Sequence, residues 1–248
     1  LDRGMIGSLS RVGFLIALLA LSAIVVAREG TPVRQVVLVQ NSGWMEPFYT
    51  DKASPLKPLV ANLASAVAGR DEVVVGLFNQ ADEVHLSPEW IYRGPGGGAG
   101  LGQALAGAGL VRKQSGAYAD TDFKEALLGA IKQGLGNQSG IVWIVTNNKN
   151  SPNNSDAVIA RNREFYELLH GEGVIPRIAA FPFKSSVQGE HYRANGLMIY
   201  AIAYGQPADA ALQSLLEVPA LKQVLPEGHV RLKPLTVTAV RFIPTGAS

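Results

Sequence analysis

A short apolar run that ends in a polar turn constrains this chain more than any other feature. Residues 36–39 (VVLV) lead directly into residues 40–45 (QNSGWM). An uninterrupted apolar run bounded by turn residues is typical of a strand buried on both faces, as in a parallel sheet. In open α/β sheets, ligands bind beyond the carboxyl ends of such strands. The turn at residues 40–44 is therefore the first candidate for a functional site.

The rest of the chain predicts a sheet built around this strand. Apolar runs at 72–78, 141–145, 175–183 and 196–204 predict four more strands. Helical spacing predicts helices at 55–68, 123–135 and 156–170, and one or two short helices between 208 and 225. This alternation indicates an α/β fold: a doubly wound, mostly parallel, Rossmann-like sheet with helices on both faces. Right-handed crossovers would bring residues 40–44, 120–122 and 146–150 to one edge.

Composition excludes several classes of function. The 248 residues contain no cysteine, which excludes disulfides, thiolate metal sites and cysteine nucleophiles. The net charge is only +2, and we find no basic run with interleaved aromatic residues, so no nucleic-acid partner is expected. The four histidines lack the spacing of a helical metal pair.

The N-terminal segment predicts export from the cytoplasm. Residues 12–27 are uncharged and almost wholly apolar, and Arg3 and Arg11 precede them. This is the layout of a secretory signal peptide, and the run is slightly short of the ~20 residues of a membrane-spanning helix. We therefore predict residues 1–27 as a signal peptide or as an uncleaved hydrophobic helix that anchors the protein in the inner membrane. Both alternatives place the remainder in the periplasm or another extracytoplasmic space.

Domain boundaries follow from these elements. Residues 28–35 are predicted as a linker, residues 36–226 as the α/β domain, and residues 227–248 as a C-terminal extension. The extension is either a last strand or the start of another module. Pro226, Pro234 and Pro244 favour an irregular extension over a central strand.

The turn also resembles the signature of a known family. The von Willebrand factor type A (vWA) domain has an apolar strand that ends in D-x-S-G-S-M, and Ser42, Gly43 and Met45 match it. Two further loops resemble the same family, in the same order. Thr121 lies just before a predicted helix, and residues 146–148 (TNN) lie at the tip of a later strand. The resemblance covers residues 36–205 and implies a metal-ion-dependent adhesion site formed by the three loops.

The departures from the family pattern imply that this adhesion site is degenerate. Gln40 and Asn147 stand where the family has aspartates, and Trp44 stands where it has a second serine. Mg²⁺ prefers anionic oxygens, and an indole offers only a donor N–H. We therefore predict no cofactor, or at most weakly bound Mg²⁺.

The resemblance thus implies a non-catalytic protein–protein interaction module of the bacterial cell envelope, whose protein partner is unidentified. Residues 12–27 would add a contact with the membrane if they are not cleaved. The predicted partner-binding residues lie in the three loops: Gln40, Asn41, Ser42, Gly43, Trp44, Thr121, Asp122, Asn147 and Asn148.

Three alternatives to this interpretation stay open at the level of sequence. Asp120 or Asp122 could restore a cation-dependent adhesion domain. Ser42, with His191 and Asp122, could form the centre of a serine hydrolase. In the third alternative the loop residues are purely structural, since Ser and Asn side chains stabilise turns and Asp122 has capping-box spacing to Glu125.

Overall fold

A computed structural model describes residues 33–69, 71–80, 82, 86–149, 156–170, 174–226 and 228–233. All of them belong to the second of two compact units, Pro32–Ser248. The predicted signal or anchor segment, 1–27, lies outside the described residues, as does most of the predicted linker. Within the described ranges, no helix is long and apolar enough to cross a membrane.

Within the described residues, seven strands form one sheet in the order β3-β2-β1-β4-β6-β5-β7. The strands are β1 (Arg34–Gln40), β2 (Glu72–Phe78), β3 (Glu89–Pro95), β4 (Gly140–Thr146), β5 (Arg177–Gln188), β6 (Arg193–Tyr204) and β7 (Val230–Lys233). The buried central strand β1 carries the candidate turn at its carboxyl end. Part of the predicted C-terminal extension thus lies in the sheet, as the edge strand β7.

The sheet is mixed and mostly antiparallel, which corrects the prediction of a mostly parallel, Rossmann-like sheet. Only the central strands β2, β1 and β4 pair in parallel. The other neighbouring pairs are antiparallel. For the pair β5–β6 the reason is the length of the connection, since only residues 189–192 join the two strands. A parallel pair needs a crossover of about a dozen residues or more.

Helices cover both faces of the sheet, as predicted. The helices are α1 (Glu46–Thr50), α2 (Leu56–Ala68), α3 (Ala99–Gly107), α4 (Phe123–Gly129), α5 (Asp156–His170), α6 (Gln206–Leu216) and α7 (Pro219–Val224). Alternate residues of β1 belong to separate cores, because side chains along a strand alternate between the faces. Val37 packs in a core with residues of α2, α3, α6 and α7, whereas Val36 packs with residues of α4 and α5.

Local sequence signals explain where the helices near the candidate site begin and end. The side chain of Asp122 accepts a hydrogen bond from the backbone N of Glu125 (2.9 Å), so it caps α4. The helix continues through one π-helical turn, Ala130–Gly134. Gly69 ends α2 with φ +58°, a conformation that favours glycine.

The hairpin formed by β5 and β6 extends beyond the sheet at the edge where β1 and β4 end. β4 pairs only with residues 198–204 of β6, so the remainder of the hairpin projects past it. The hairpin is bound to the α1 region by backbone donors. The N of Gln188 donates to Asp51 Oδ2 (2.8 Å), and the N of Glu190 donates to Glu46 Oε1 (2.7 Å). The hairpin tip therefore forms one side of the strand-end edge.

Candidate functional site at the strand-end edge

A buried polar cluster, formed by Gln40, Ser42, Thr121 and Thr146, lies at the centre of this edge. We call it the central cluster. The Gln40 side chain is fully buried, and its Nε2 donates to Ser42 Oγ (2.7 Å) and Thr121 Oγ1 (2.8 Å). The same nitrogen lies 3.2 Å from the carbonyl oxygen of Lys149. Gln40 Oε1 accepts a hydrogen bond from the Thr146 hydroxyl. Three loops distant in sequence thus meet at one amide group.

The hydroxyl groups of the central cluster complete the network. Thr121 Oγ1 donates to Ser42 Oγ (2.7 Å), and Thr146 Oγ1 accepts from the backbone N of Asn148 (2.8 Å). All four side chains of the cluster are buried. A buried polar network that is fully bonded fixes its loops in one arrangement, whereas loss of one partner leaves the others unpaired at a considerable cost.

The donor set of the central cluster does not fit a divalent cation. Ser42 Oγ, Thr121 Oγ1 and the Lys149 carbonyl oxygen converge on one point, as oxygen ligands do around a metal. An amide nitrogen with two protons occupies that point. The three oxygens are neutral, whereas Mg²⁺ requires anionic ligands and a near-octahedral shell. In the part of the chain that the structure describes, no three histidine or carboxylate side chains group to hold a metal.

Asn41 and Gly43 serve the packing of the turn. Asn41 Nδ2 donates to the Gly109 carbonyl (3.2 Å), and its Oδ1 accepts from Asn79 Nδ2 (3.0 Å), which joins the ends of β1 and β2 to a loop. A Cβ atom at Gly43 would lie 2.4 Å from the Cβ of Tyr118, so this close approach requires glycine. Asn41, although predicted as partner-binding, is buried.

Trp44 and Tyr192 form the rim of the edge, which we call the aromatic corner. Their ring centroids lie 6.0 Å apart at an interplanar angle of 68°. The Trp44 carbonyl accepts hydrogen bonds from the Tyr192 hydroxyl and from Asn147 Nδ2, which hold the two residues together. Lys149 Nζ lies 5.0 Å from the Trp44 ring centroid and 4.5 Å from that of Tyr192. The corner therefore holds an ammonium group of the chain itself.

The environment of Tyr192 keeps its hydroxyl protonated. Burial, followed by the negative charge of Glu46, raises the pKa of Tyr192 to about 12, and the hydrogen bond with Asn147 opposes the rise. The hydroxyl is thus a hydrogen-bond donor throughout the neutral range. Burial also raises the pKa of Tyr49, whose hydroxyl donates to the Gln40 carbonyl (3.2 Å).

Glu46 is a buried carboxylate next to the aromatic corner. Its Oε1 accepts from the backbone N of Glu190 (2.7 Å) and from the Thr50 hydroxyl (2.9 Å). Its Oε2 has no hydrogen-bond partner among the described residues. A Cβ at Gly189 would lie only 2.0 Å from Oε2, so the hairpin tip packs directly on this carboxylate.

The structure divides the predicted site residues among several roles. Gln40, Ser42 and Thr121 meet in the central cluster, while Asp122 caps α4. Asn147 supports the Trp44 carbonyl. Asn148 has a left-handed backbone (φ +59°), and its Oδ1 accepts from the Tyr200 hydroxyl (3.0 Å).

Sequence reasoning missed Tyr192 and Lys149 as site residues. Tyr192 lies at the tip of a hairpin, 148 positions after Trp44 along the chain. No local pattern predicts which strand-end loop such a tip contacts. The lysine directly follows the predicted loop residues Asn147 and Asn148, and this position was the only available signal.

Comparisons with protein-family models, with curated protein sequences and with solved structures return no match. The vWA resemblance therefore stays a prediction that rests on the three loops of this chain.

Proposed function

We propose that this chain is a non-catalytic protein–protein interaction module of the bacterial cell envelope, which binds its partner through the strand-end edge without a bound cation. The observation that carries the proposal is the position of the Gln40 amide. It donates to the neutral oxygens that would otherwise face a metal. This contact supports a site without a cation, and it favours the rim as the surface that binds the partner.

The rim has the composition of a binding surface. Trp44 and Tyr192 are half-buried, and Asn148 and Lys149 beside them are exposed. Tryptophan and tyrosine are enriched among residues that dominate binding energy, because they combine a large apolar area with a polar group. The hydrogen bonds to the Trp44 carbonyl fix this surface before a partner arrives, which lowers the entropy cost of binding.

The two competing functions fit the geometry less well. The Asp122 carboxylate caps α4, and the Asp120 carboxylate pairs with Lys113, so a cation would have to compete with these bonds. Ser42 is fully buried, and its Oγ accepts from both Gln40 and Thr121, which does not activate a nucleophile. The His191 ring packs edge-on against Tyr118, at 6.3 Å between centroids. The envelope location rests on residues 12–27 of the sequence alone.

Site-specific photo-crosslinking in the native cell tests the proposal. A photoreactive amino acid replaces Glu190, an exposed residue of the hairpin tip, or, as a control, Gln103, an exposed residue of α3. We expect a discrete protein adduct from position 190, absent from position 103 and lost when Trp44→Ala is added. Adducts that are the same from both positions, or that persist with Trp44→Ala, would contradict binding through this edge.

A further inference from the structure

We infer that the aromatic corner recognises a lysine side chain of the partner protein, and that Lys149 occupies the corner until the partner binds. The inference rests on the proposed function and adds the chemistry of the partner. Its basis is the position of Lys149 Nζ, which lies within cation–π range of both rings at once.

The two rings are held in place by bonds that do not involve Lys149. The Tyr192 hydroxyl and Asn147 Nδ2 both bind the Trp44 carbonyl, and the rings meet nearly at right angles. An ammonium group in such a corner faces the electron-rich surface of each ring. The corner is therefore formed in advance and suits a cation from any source.

The surroundings of the corner add negative charge. The buried carboxylate of Glu46 acts on Tyr192 strongly enough to contribute to its raised pKa. A cation that enters the corner thus approaches one acidic group as well as two rings, and an anionic side chain would be repelled.

Lys149 is suited to leave the corner. Its side chain is exposed, and its ammonium group makes no ion pair with any residue in the described ranges. Arg112, which lies 4.0 Å above the Tyr118 ring at the same edge, provides the contrast. Its guanidinium also donates to the Gly116 carbonyl (2.7 Å), so it is fixed locally. Among contacts with described residues, the ammonium group of Lys149 thus has the two rings, whereas Arg112 has a hydrogen bond as well.

The test follows the Trp44 indole by NMR in the full-length protein labelled with ¹⁵N-tryptophan. The chain has three tryptophans, and Trp44→Phe identifies the signal of interest. The probes are a short peptide, blocked at both ends, whose only charged residue is a central lysine, and the same peptide with uncharged norleucine in its place. Titrations use the unchanged protein and the variants Lys149→Ala, Tyr192→Ala and Arg112→Ala.

We expect the lysine peptide, and not the norleucine peptide, to shift the Trp44 signal. Lys149→Ala should lower the dissociation constant at least several-fold, because the internal competitor is gone. Tyr192→Ala should abolish the shift, and Arg112→Ala should leave it unchanged. An unaltered signal of the buried Trp143 shows that each variant is folded.

Three results would overturn the inference. The first is equal binding of the norleucine peptide, and the second is no gain of affinity in Lys149→Ala. The third is a shift of the Trp44 signal with phosphatidylcholine vesicles but not with the lysine peptide, which would identify a lipid headgroup as the ligand of the corner. The crosslinking experiment shows whether the inference about lysine or the proposed function itself is wrong. If adducts form at position 190 but the lysine peptide does not bind, the proposed function is supported and the inference is wrong. If the lysine peptide binds but no adducts form, the proposed function is wrong.

Discussion

The central cluster and the aromatic corner share one turn and behave in opposite ways. The cluster directs Gln40 and Ser42 inward, where their side chains bond with the hydroxyl groups of Thr121 and Thr146. The corner directs Trp44 outward, where its ring contacts an exposed and otherwise unpaired lysine of the described chain. The polar atoms of the cluster bond one another below the surface, whereas the two rings lie at the surface and contact the exposed Lys149 side chain. We therefore expect the buried centre to fix the shape of the edge, and the rim to bind the partner.

The difference also separates stability from binding. Loss of a bond in the fully buried cluster leaves unpaired polar atoms, which is expensive wherever water cannot reach them. Loss of a ring contact at the half-exposed corner costs less, because water replaces it. Substitutions in the central cluster should therefore lower the free energy of unfolding, whereas substitutions at the rim should weaken partner binding.

The largest effect is expected from Gln40→Ala. It leaves the hydroxyls of Ser42 and Thr121 without their central donor, and we expect the free energy of unfolding to fall by about 3 kcal/mol. Urea titration of the full chain measures it. The matched control, Gln103→Ala on exposed α3, should change stability by less than about 0.5 kcal/mol. Similar values for the two variants would show that the cluster does not stabilise the edge.

A smaller loss is expected where the hairpin tip meets Glu46. The Cβ of Gly189→Ala would lie 2.0 Å from Glu46 Oε2. To avoid the clash, the buried carboxylate must leave its bonds with the Glu190 N and the Thr50 hydroxyl, and we expect the free energy of unfolding, measured by urea titration, to fall by about 2 kcal/mol. Gly102→Ala is the control, because a Cβ there meets nothing within 4 Å in helix α3. Alanine at 102 should stabilise the chain by about 0.5–1 kcal/mol. Equal effects at both glycines would disprove close packing of the tip.

Gln40→Asp should convert the centre into a weak cation site. The shorter carboxylate withdraws from the point where Ser42, Thr121 and the Lys149 carbonyl converge and supplies the missing charge. We expect saturating Mg²⁺ to stabilise this variant by about 1 kcal/mol, measured as a rise of its melting temperature. Gln40→Asn is the control, because asparagine is as short as aspartate but uncharged, and Mg²⁺ should not change the melting temperature of this variant. A response of the asparagine variant, or none of the aspartate variant, would show that the amide does not stand at a cation position.

The smallest effect concerns the alkaline stability of the corner. Because the pKa of Tyr192 is raised from 10.0 to about 12, its contribution is intact below pH 10 and is lost as the pH rises through 12. The residue is half-exposed, so the loss should be only about 1 kcal/mol. Urea titrations of the unchanged protein and of Tyr192→Phe across this pH range isolate the contribution of the tyrosine hydroxyl to the free energy of unfolding. The phenylalanine variant should lose less stability with rising pH, and parallel curves would contradict the assignment.

The parallel centre of the fold was predictable from sequence, and the antiparallel side was not. The apolar runs of β1, β2 and β4 identify strands buried on both faces. The β5–β6 hairpin extends past the end of β4, and its residues 184–195 lack a continuous apolar pattern and resemble a loop. The relative direction of β5 and β6 depends on the length of the connection between them. The sequence pattern does not show where β5 ends and β6 begins.

The candidate site was predictable to a similar extent. The approach of Gln40 and Thr146 follows from strand order, because parallel strands end at the same edge of a sheet. Thr121 lies before helix α4, and its contact with Gln40 comes from the loop between α3 and α4. The inward direction of the Gln40 amide depends on hydrogen bonds between distant loops, which no local pattern encodes. The same holds for the contact of Tyr192 with Trp44, since it depends on where the hairpin tip folds.

A thermal melt of the metal-stripped, full-length protein, with and without millimolar Mg²⁺ or Mn²⁺, tests the central claim most directly. Because the Gln40 amide donates to the oxygens that a cation would need, we predict the same melting temperature in every condition. A rise with either metal that chelator reverses and Thr121→Ala abolishes would contradict the account, because a cation would then bind where we place the amide.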